Sequence, residues 1–126
     1  MLNVAHAAHL PPRVLPVIAQ IEGGAAGTVR QDANGTADLG VMQVNTIWIP
    51  ALAAQARLTA AQTRNALIDD PCFNIAAAAL ILQVYLKQNN GALLPAIGDY
   101  HSQTPPLNRA YIAQAEAAAQ KMFTAK

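Results

Sequence analysis

Apolar residues recur at helical spacing in several stretches, each bounded by turn or capping signals. Val14, Ile18 and Ile21 share one stripe, with Leu15 and Glu22 beside it. This predicts a helix that begins between Pro12 and Pro16, where proline is tolerated in a first turn, and stops at Gly23-Gly24. Residues 1–12 read as a loose lead-in segment. Residues 23–39 are turn-rich. Asn34-Gly35, flanked by Thr28-Val29-Arg30 and Thr36-Ala37-Asp38, predicts a small β-hairpin or an irregular loop. From about Leu39 through Leu52 the pattern turns helical and apolar, with Pro50 forcing a break or kink. Thr59-Ala60-Ala61-Gln62 has the form of a capping box and predicts a helix to about Ile68. Asp70-Pro71 opens the clearest helix, which Gly91 closes; its run Ile75 to Leu86 is apolar nearly all round, the mark of a central buried helix. Residues 92–102 predict a short helix with Pro95 in its first turn, and Thr104-Pro105-Pro106 opens the last one, to about Phe123.

The fold class is therefore mainly α, one helical domain over residues 1–126 with a small β insertion and no internal repeat. Composition sharpens this. Of the 126 residues 53% are hydrophobic but only 5% aromatic, and much of the remainder is alanine, the strongest helix former. A chain of this length buries a core without disulfides. Charged residues make up 12% and the net charge is +1, so no electrostatic footprint for nucleic acid or anionic lipid is present in the sequence. No apolar run reaches the roughly 20 residues of a membrane span. Met1 to Arg13 lacks the basic start and apolar core of a signal peptide, so an exported form would have lost its leader. The lone Cys72 excludes an intrachain disulfide and a thiolate zinc cluster, and its place early in an apolar helix favours a buried structural thiol.

Few residues offer chemistry. Asp69 and Asp70 have capping roles and Glu116 lies among alanines on a solvated face. Glu22 differs: a carboxylate at the end of a buried stripe, before a glycine-rich loop, loses hydration, and its pKa is expected to rise toward that of a general acid. The competing reading is a helix-end glutamate hydrogen-bonded to loop amides. Asp32 to Asp38 invites comparison with a calcium loop, but Ala37 and Gln43 stand where an EF-hand needs glycine and glutamate. His6 and His9 have a metal-compatible spacing without a third ligand, and no motif supports a Cys72–His101 pair. Phosphate, dinucleotide, serine-hydrolase and metalloprotease motifs are missing, and no cofactor is implied.

Three segments, Ile21-Glu22-Gly23-Gly24, then Leu39-Gly40-Val41-Met42-Gln43-Val44-Asn45, then Gly98-Asp99-Tyr100-His101-Ser102, together resemble the soluble lytic transglycosylases with a lysozyme-like domain. The resemblance runs from about Leu15 to Tyr111; its most specific part is Gly40 to Asn45. The chain looks closest to the small specialised members that accompany secretion systems, conjugation machinery and pili. The resemblance implies a lysozyme-like fold, peptidoglycan strands as substrate, no metal or other cofactor, and a periplasmic or secreted location. It implies that Glu22 is the catalytic acid/base and that Met42, Gln43 and Tyr100 bind substrate along the cleft. Two positions depart from the family: Gly23 stands where serine is usual, and Tyr100-His101 replaces a tyrosine–asparagine pair.

The resemblance further implies cleavage of the β-1,4 bond between N-acetylmuramic acid and N-acetylglucosamine, with a 1,6-anhydro product. Two alternatives stay open on the residues. In one, Asp32 or Asp38 serves as a second carboxylate and the enzyme is a hydrolysing muramidase. In the other, the chain is a catalytically silent peptidoglycan-binding module of an assembly apparatus. Met42 and Tyr100 each have a plain alternative as core residues. Gln43 and Tyr100 are expected to approach Glu22, with Val41 and Val44 packing inward.

Overall fold

The computed structural model describes residues 1–123. Among them are seven α-helices and a three-stranded antiparallel sheet: α1 (Leu2–Ala7), α2 (Val14–Glu22), β1 (Val29–Gln31), β2 (Ala37–Leu39), β3 (Val44–Asn45), a 3-10 turn (Thr46–Trp48), α3 (Ile49–Ala56), α4 (Ala60–Asp69), α5 (Pro71–Gln88), α6 (Leu93–His101) and α7 (Pro105–Phe123). The fold is mainly α with a small β insertion, as the apolar pattern predicts. No single helix among the described residues is long and apolar enough to cross a membrane.

Two compact units divide the chain. One takes Glu22–Ala78; the other takes Met1–Ile21 and the described residues from Ala79 to Phe123. In the Glu22–Ala78 unit the strands order β1-β2-β3, with Arg30 opposite Asp38 and both Asp38 and Leu39 paired onto β3. The Asn34-Gly35 turn closes the first hairpin: Gly35 has a φ of +87°, and the Thr36 N–H donates to Asn34 Oδ1 at 3.0 Å. Leu39, Met42, Val44 and Leu67 are fully or almost fully enclosed here. The capping box of α4 forms in both directions. Thr59 Oγ1 accepts from the Gln62 N–H at 3.0 Å, and Gln62 Oε1 accepts from the Thr59 N–H at 2.9 Å. At the start of α5, Asp70 Oδ1 accepts from the Phe73 N–H at 3.2 Å.

The other unit is built around Leu15 and Ile18 of α2, Ile81, Leu82 and Tyr85 of α5, Ile97 of α6 and Tyr111 of α7, all buried. Asp99 accepts from Asn89 Nδ2 and from Asn108 Nδ2, each at 2.8 Å, which ties α6 to both neighbours. His101 stacks on Tyr111 with ring centroids 4.7 Å apart, so the residue in the family's asparagine place is engaged within this unit.

Three expectations need correction. Residues 1–12 are not a loose lead-in: α1 lies there, Ala5 and Leu10 are buried, and Gln83 Nε2 donates to the Ala8 carbonyl at 2.9 Å. The stretch Leu39–Leu52 is not a helix with a kink at Pro50. It finishes β2, turns through Gly40 and Gln43 at positive φ, forms β3 and a 3-10 turn, and becomes α-helical only at Ile49, where Pro50 sits in the first turn. Cys72 is exposed rather than buried. It precedes the enclosed face of α5, which begins at Asn74 and continues through Ala77 and Ala78, and Leu80 and Val84 also reach solvent.

Candidate active site

The last residue of α2 is Glu22, and the helix stops there because Gly23 follows at a φ of +65°, a backbone state glycine adopts without steric cost. A Cβ on Gly23 would meet nothing within 4 Å, so backbone conformation rather than crowding favours glycine where the family usually carries serine. The Glu22 side chain is only 8% exposed. Arg30 Nη2, from β1, lies 3.8 Å from Glu22 Oε1 and donates a hydrogen bond to Asp38 Oδ2 at 2.9 Å. One guanidinium nitrogen thus faces two carboxylates. That hydrogen bond, with the negative charges of Asp38, Glu22 and Asp32, holds the Arg30 proton more tightly than usual despite partial burial.

Asp38 is bound on both sides. Its Oδ1 accepts from Asn45 Nδ2 at 3.0 Å. The same amide nitrogen shares its hydrogens with Thr36 Oγ1 at 3.0 Å and Asp32 Oδ2 at 3.2 Å. Asn45 Oδ1 accepts from the Ile47 N–H at 2.9 Å and so caps the 3-10 turn. Burial and the neighbouring Asp38 carboxylate push the Asp32 carboxyl above its usual range, against the Thr36 hydroxyl and the Arg30 charge.

The Gly40–Gln43 turn is pinned from inside. Gly40 has a φ of +70°, and a Cβ there would collide with the Leu67 carbonyl and the Asn74 amide. Asn74 is fully buried. Its Oδ1 accepts from the Met42 N–H, and its Nδ2 donates to the carbonyls of Leu39 and Leu67, all at 2.8 Å. On the other side of the turn lies Gly24, where an added Cβ would strike the Gly40 carbonyl and come within 2.9 Å of Gln43 Nε2. The loop that leaves Glu22 therefore packs against the turn, with glycine backbone on both sides.

The residues singled out in the sequence fall as follows. Gln43 is buried at 6% exposure with a φ of +53°, and its Nε2 donates to the Gly40 carbonyl at 2.8 Å and to Thr28 Oγ1 at 3.3 Å. Its amide nitrogen is spent on the turn and on Thr28 beside it. Met42 is wholly enclosed, so it supports the segment from below instead of presenting its sulfur at a surface. Val44 is buried as expected, while Val41 is half-buried. Tyr100 is half-buried on the last turn of α6, in the unit that does not contain Glu22. Sequence reasoning missed Arg30, Asn45 and Asn74. Arg30 and Asp38 lie four residues to either side of Asn34, the one signal that would have paired them. Among the described residues no cluster of three or more His, Cys, Asp and Glu side chains is gathered to hold a metal.

A buried helix-end carboxylate beside a guanidinium, next to a glycine-hinged turn, is suited to proton transfer on a ligand lying against it. Comparison with curated proteins finds no match. The family model described as transglycosylase SLT domain matches residues 2–123. Domains of this family act on peptidoglycan, a polymer outside the cytoplasmic membrane, and have a lysozyme-like helical fold. With a match that spans nearly its whole length, the chain belongs to the transglycosylase SLT domain family.

Proposed function

We propose that the protein is a peptidoglycan lytic transglycosylase, a carbon–oxygen lyase, in which Glu22 alone performs the acid and base steps. Protonated Glu22 gives its proton to the bridging oxygen of the β-1,4 bond as the muramoyl C1–O bond breaks. The N-acetylglucosamine end leaves as an alcohol, and the muramoyl ring passes through an oxocarbenium-like state. The Glu22 carboxylate then takes the proton of the sugar's own 6-hydroxyl while O6 bonds to C1. The product is a 1,6-anhydro ring, Glu22 is protonated again, and no water is consumed.

The observation that carries this reading is the place of Glu22, a carboxylate 8% exposed at the end of α2 with the Arg30 guanidinium 3.8 Å away. Asp38, the candidate second carboxylate, accepts hydrogen bonds on both oxygens, from Arg30 and from Asn45. A hydrolase with two carboxylates needs a second one available as nucleophile or base. An internal hydroxyl is already held at high effective concentration and needs none. Met42, Gln43 and Tyr100 enter this reading as substrate-binding residues, Met42 and Gln43 by fixing the shape of the turn and Tyr100 by its ring and hydroxyl. The resemblance to the specialised members of the family supports a role in opening local gaps in the wall for a secretion, conjugation or pilus apparatus.

The test is digestion of purified sacculi with mass spectrometry of the released muropeptides. Anhydromuramoyl ends are expected, and Glu22→Gln is expected to lower their rate by about 10²–10⁴-fold with the thermal midpoint unchanged or raised. Reducing muramic ends would show a hydrolase instead. Near-normal turnover in Glu22→Gln would remove Glu22 from the chemistry.

A further inference from the structure

We infer that Arg30, anchored by Asp38, is a positioning residue that favours the ionised form of Glu22 and so sets the pH range in which Glu22 serves as an acid. The inference rests on the reading of Glu22 as acid/base. Its basis is geometric. Arg30 and Asp38 are directly opposed in the β1–β2 register, and their side chains meet at 2.9 Å. Asp38 is in turn located by Asn45 of β3, at 3.0 Å. The guanidinium cannot swing into solvent without losing this anchor, although its side chain is 54% exposed.

Its distance to Glu22, 3.8 Å, is too long for a hydrogen bond and short enough for a strong charge interaction. The carboxyl is thus held near a positive charge without that hydrogen bond being closed. When Glu22 gives up its proton the new negative charge forms beside Arg30, which stabilises it. Burial acts in the opposite direction and favours the neutral acid. Asp38 and, farther along the network, Asp32 also face Arg30, and they partly cancel its field.

The experiment compares the wild type, Arg30→Gln and Arg30→Lys in two readouts: the pH profile of kcat/KM on soluble glycan chains, and the titration of the Glu22 side-chain carboxyl by 13C NMR. In Arg30→Gln the alkaline limb of the profile and the Glu22 midpoint should both move up by about 0.5–1 pH unit, and Arg30→Lys should restore most of the shift. A Glu22 midpoint in Arg30→Gln that matches the wild type would overturn the inference, and the NMR arm decides this even where turnover is too low to measure. Activity retained in a parallel Glu22→Gln sample would instead overturn the acid/base reading, so the two failures are distinct.

Discussion

Asp32 and Asp38 show how far a residue's surroundings, rather than its type, fix its chemistry. Both are aspartates of one hairpin, and both accept from the Asn45 amide. Asp38 also has the Arg30 guanidinium; Asp32 has burial and a like charge, which raise its proton affinity above the ordinary value near 3.8. A carboxyl whose folded pKa lies above its unfolded one binds its proton more tightly in the native state. Its contribution to stability is therefore fully present below the unfolded value and is lost as pH rises through the folded one. Asp32→Asn removes that titration while keeping an acceptor for Asn45 and Thr36. Its thermal midpoint, measured relative to the wild type, should be more favourable at pH 7 than at pH 4. An equal difference at both pH values would mean that Asp32 titrates alike in the folded and unfolded chain. Glu22 was legible in the sequence because it ends a periodic stripe before two glycines. Arg30 was not, because only strand pairing brings it to Glu22, and charge on a hairpin flank is ordinarily solvent-facing.

At the scale of elements, caps and breakers were the reliable signals. The helices opened by Thr59 and by Asp70-Pro71 begin where the sequence places them, because each start is specified by side chains that bond the first free N–H groups. The segment after Leu39 was misread for a physical reason. Leu39, Met42 and Val44 are apolar positions that a short helix also satisfies, and periodicity cannot separate the two over so few residues. What decides the matter is Asn74, more than thirty residues later, which supplies to the turn the hydrogen bonds a helix would have supplied to itself. Asn74→Leu preserves volume but strands the Met42 N–H and the carbonyls of Leu39 and Leu67 in a buried place. A destabilisation of about 3 kcal/mol or more is expected from urea denaturation, since each stranded group costs roughly 1–3 kcal/mol. A loss below about 1 kcal/mol would show that water or a backbone shift replaces the clamp. The same long-range dependence made Met42 and Gln43 hard to assign, since whether a side chain faces a cleft or a core follows from the turn that Asn74 holds.

On the scale of the whole molecule, the residues before Glu22 and the described residues from Ala79 share one unit, while those between them carry Glu22 and its network. Composition read the class well: alanine-rich, weakly charged helices with a small sheet are what the chain forms. It read the first twelve residues poorly, because a six-residue helix followed by two prolines has too little periodicity to announce itself. Tertiary contacts hold that helix in place. Ala5 is fully enclosed, Leu10 is 6% exposed, and the carbonyl that follows α1, on Ala8, accepts from Gln83 of α5. An isolated helix of this length is not stable in water, so burial must supply its order. Leu10→Ala should therefore destabilise the protein by about 2–3 kcal/mol, within the usual range for a buried leucine. Removing residues 1–10 altogether should lower the thermal midpoint by roughly 10 °C, at a few degrees per kcal/mol for a domain of this size. In both variants the pH dependence of cleavage should stay that of the wild type at temperatures where they remain folded, because Glu22, Arg30 and Asp38 lie in the other unit. A truncated protein that melts with the full chain would return the segment to the loose lead-in its sequence suggests.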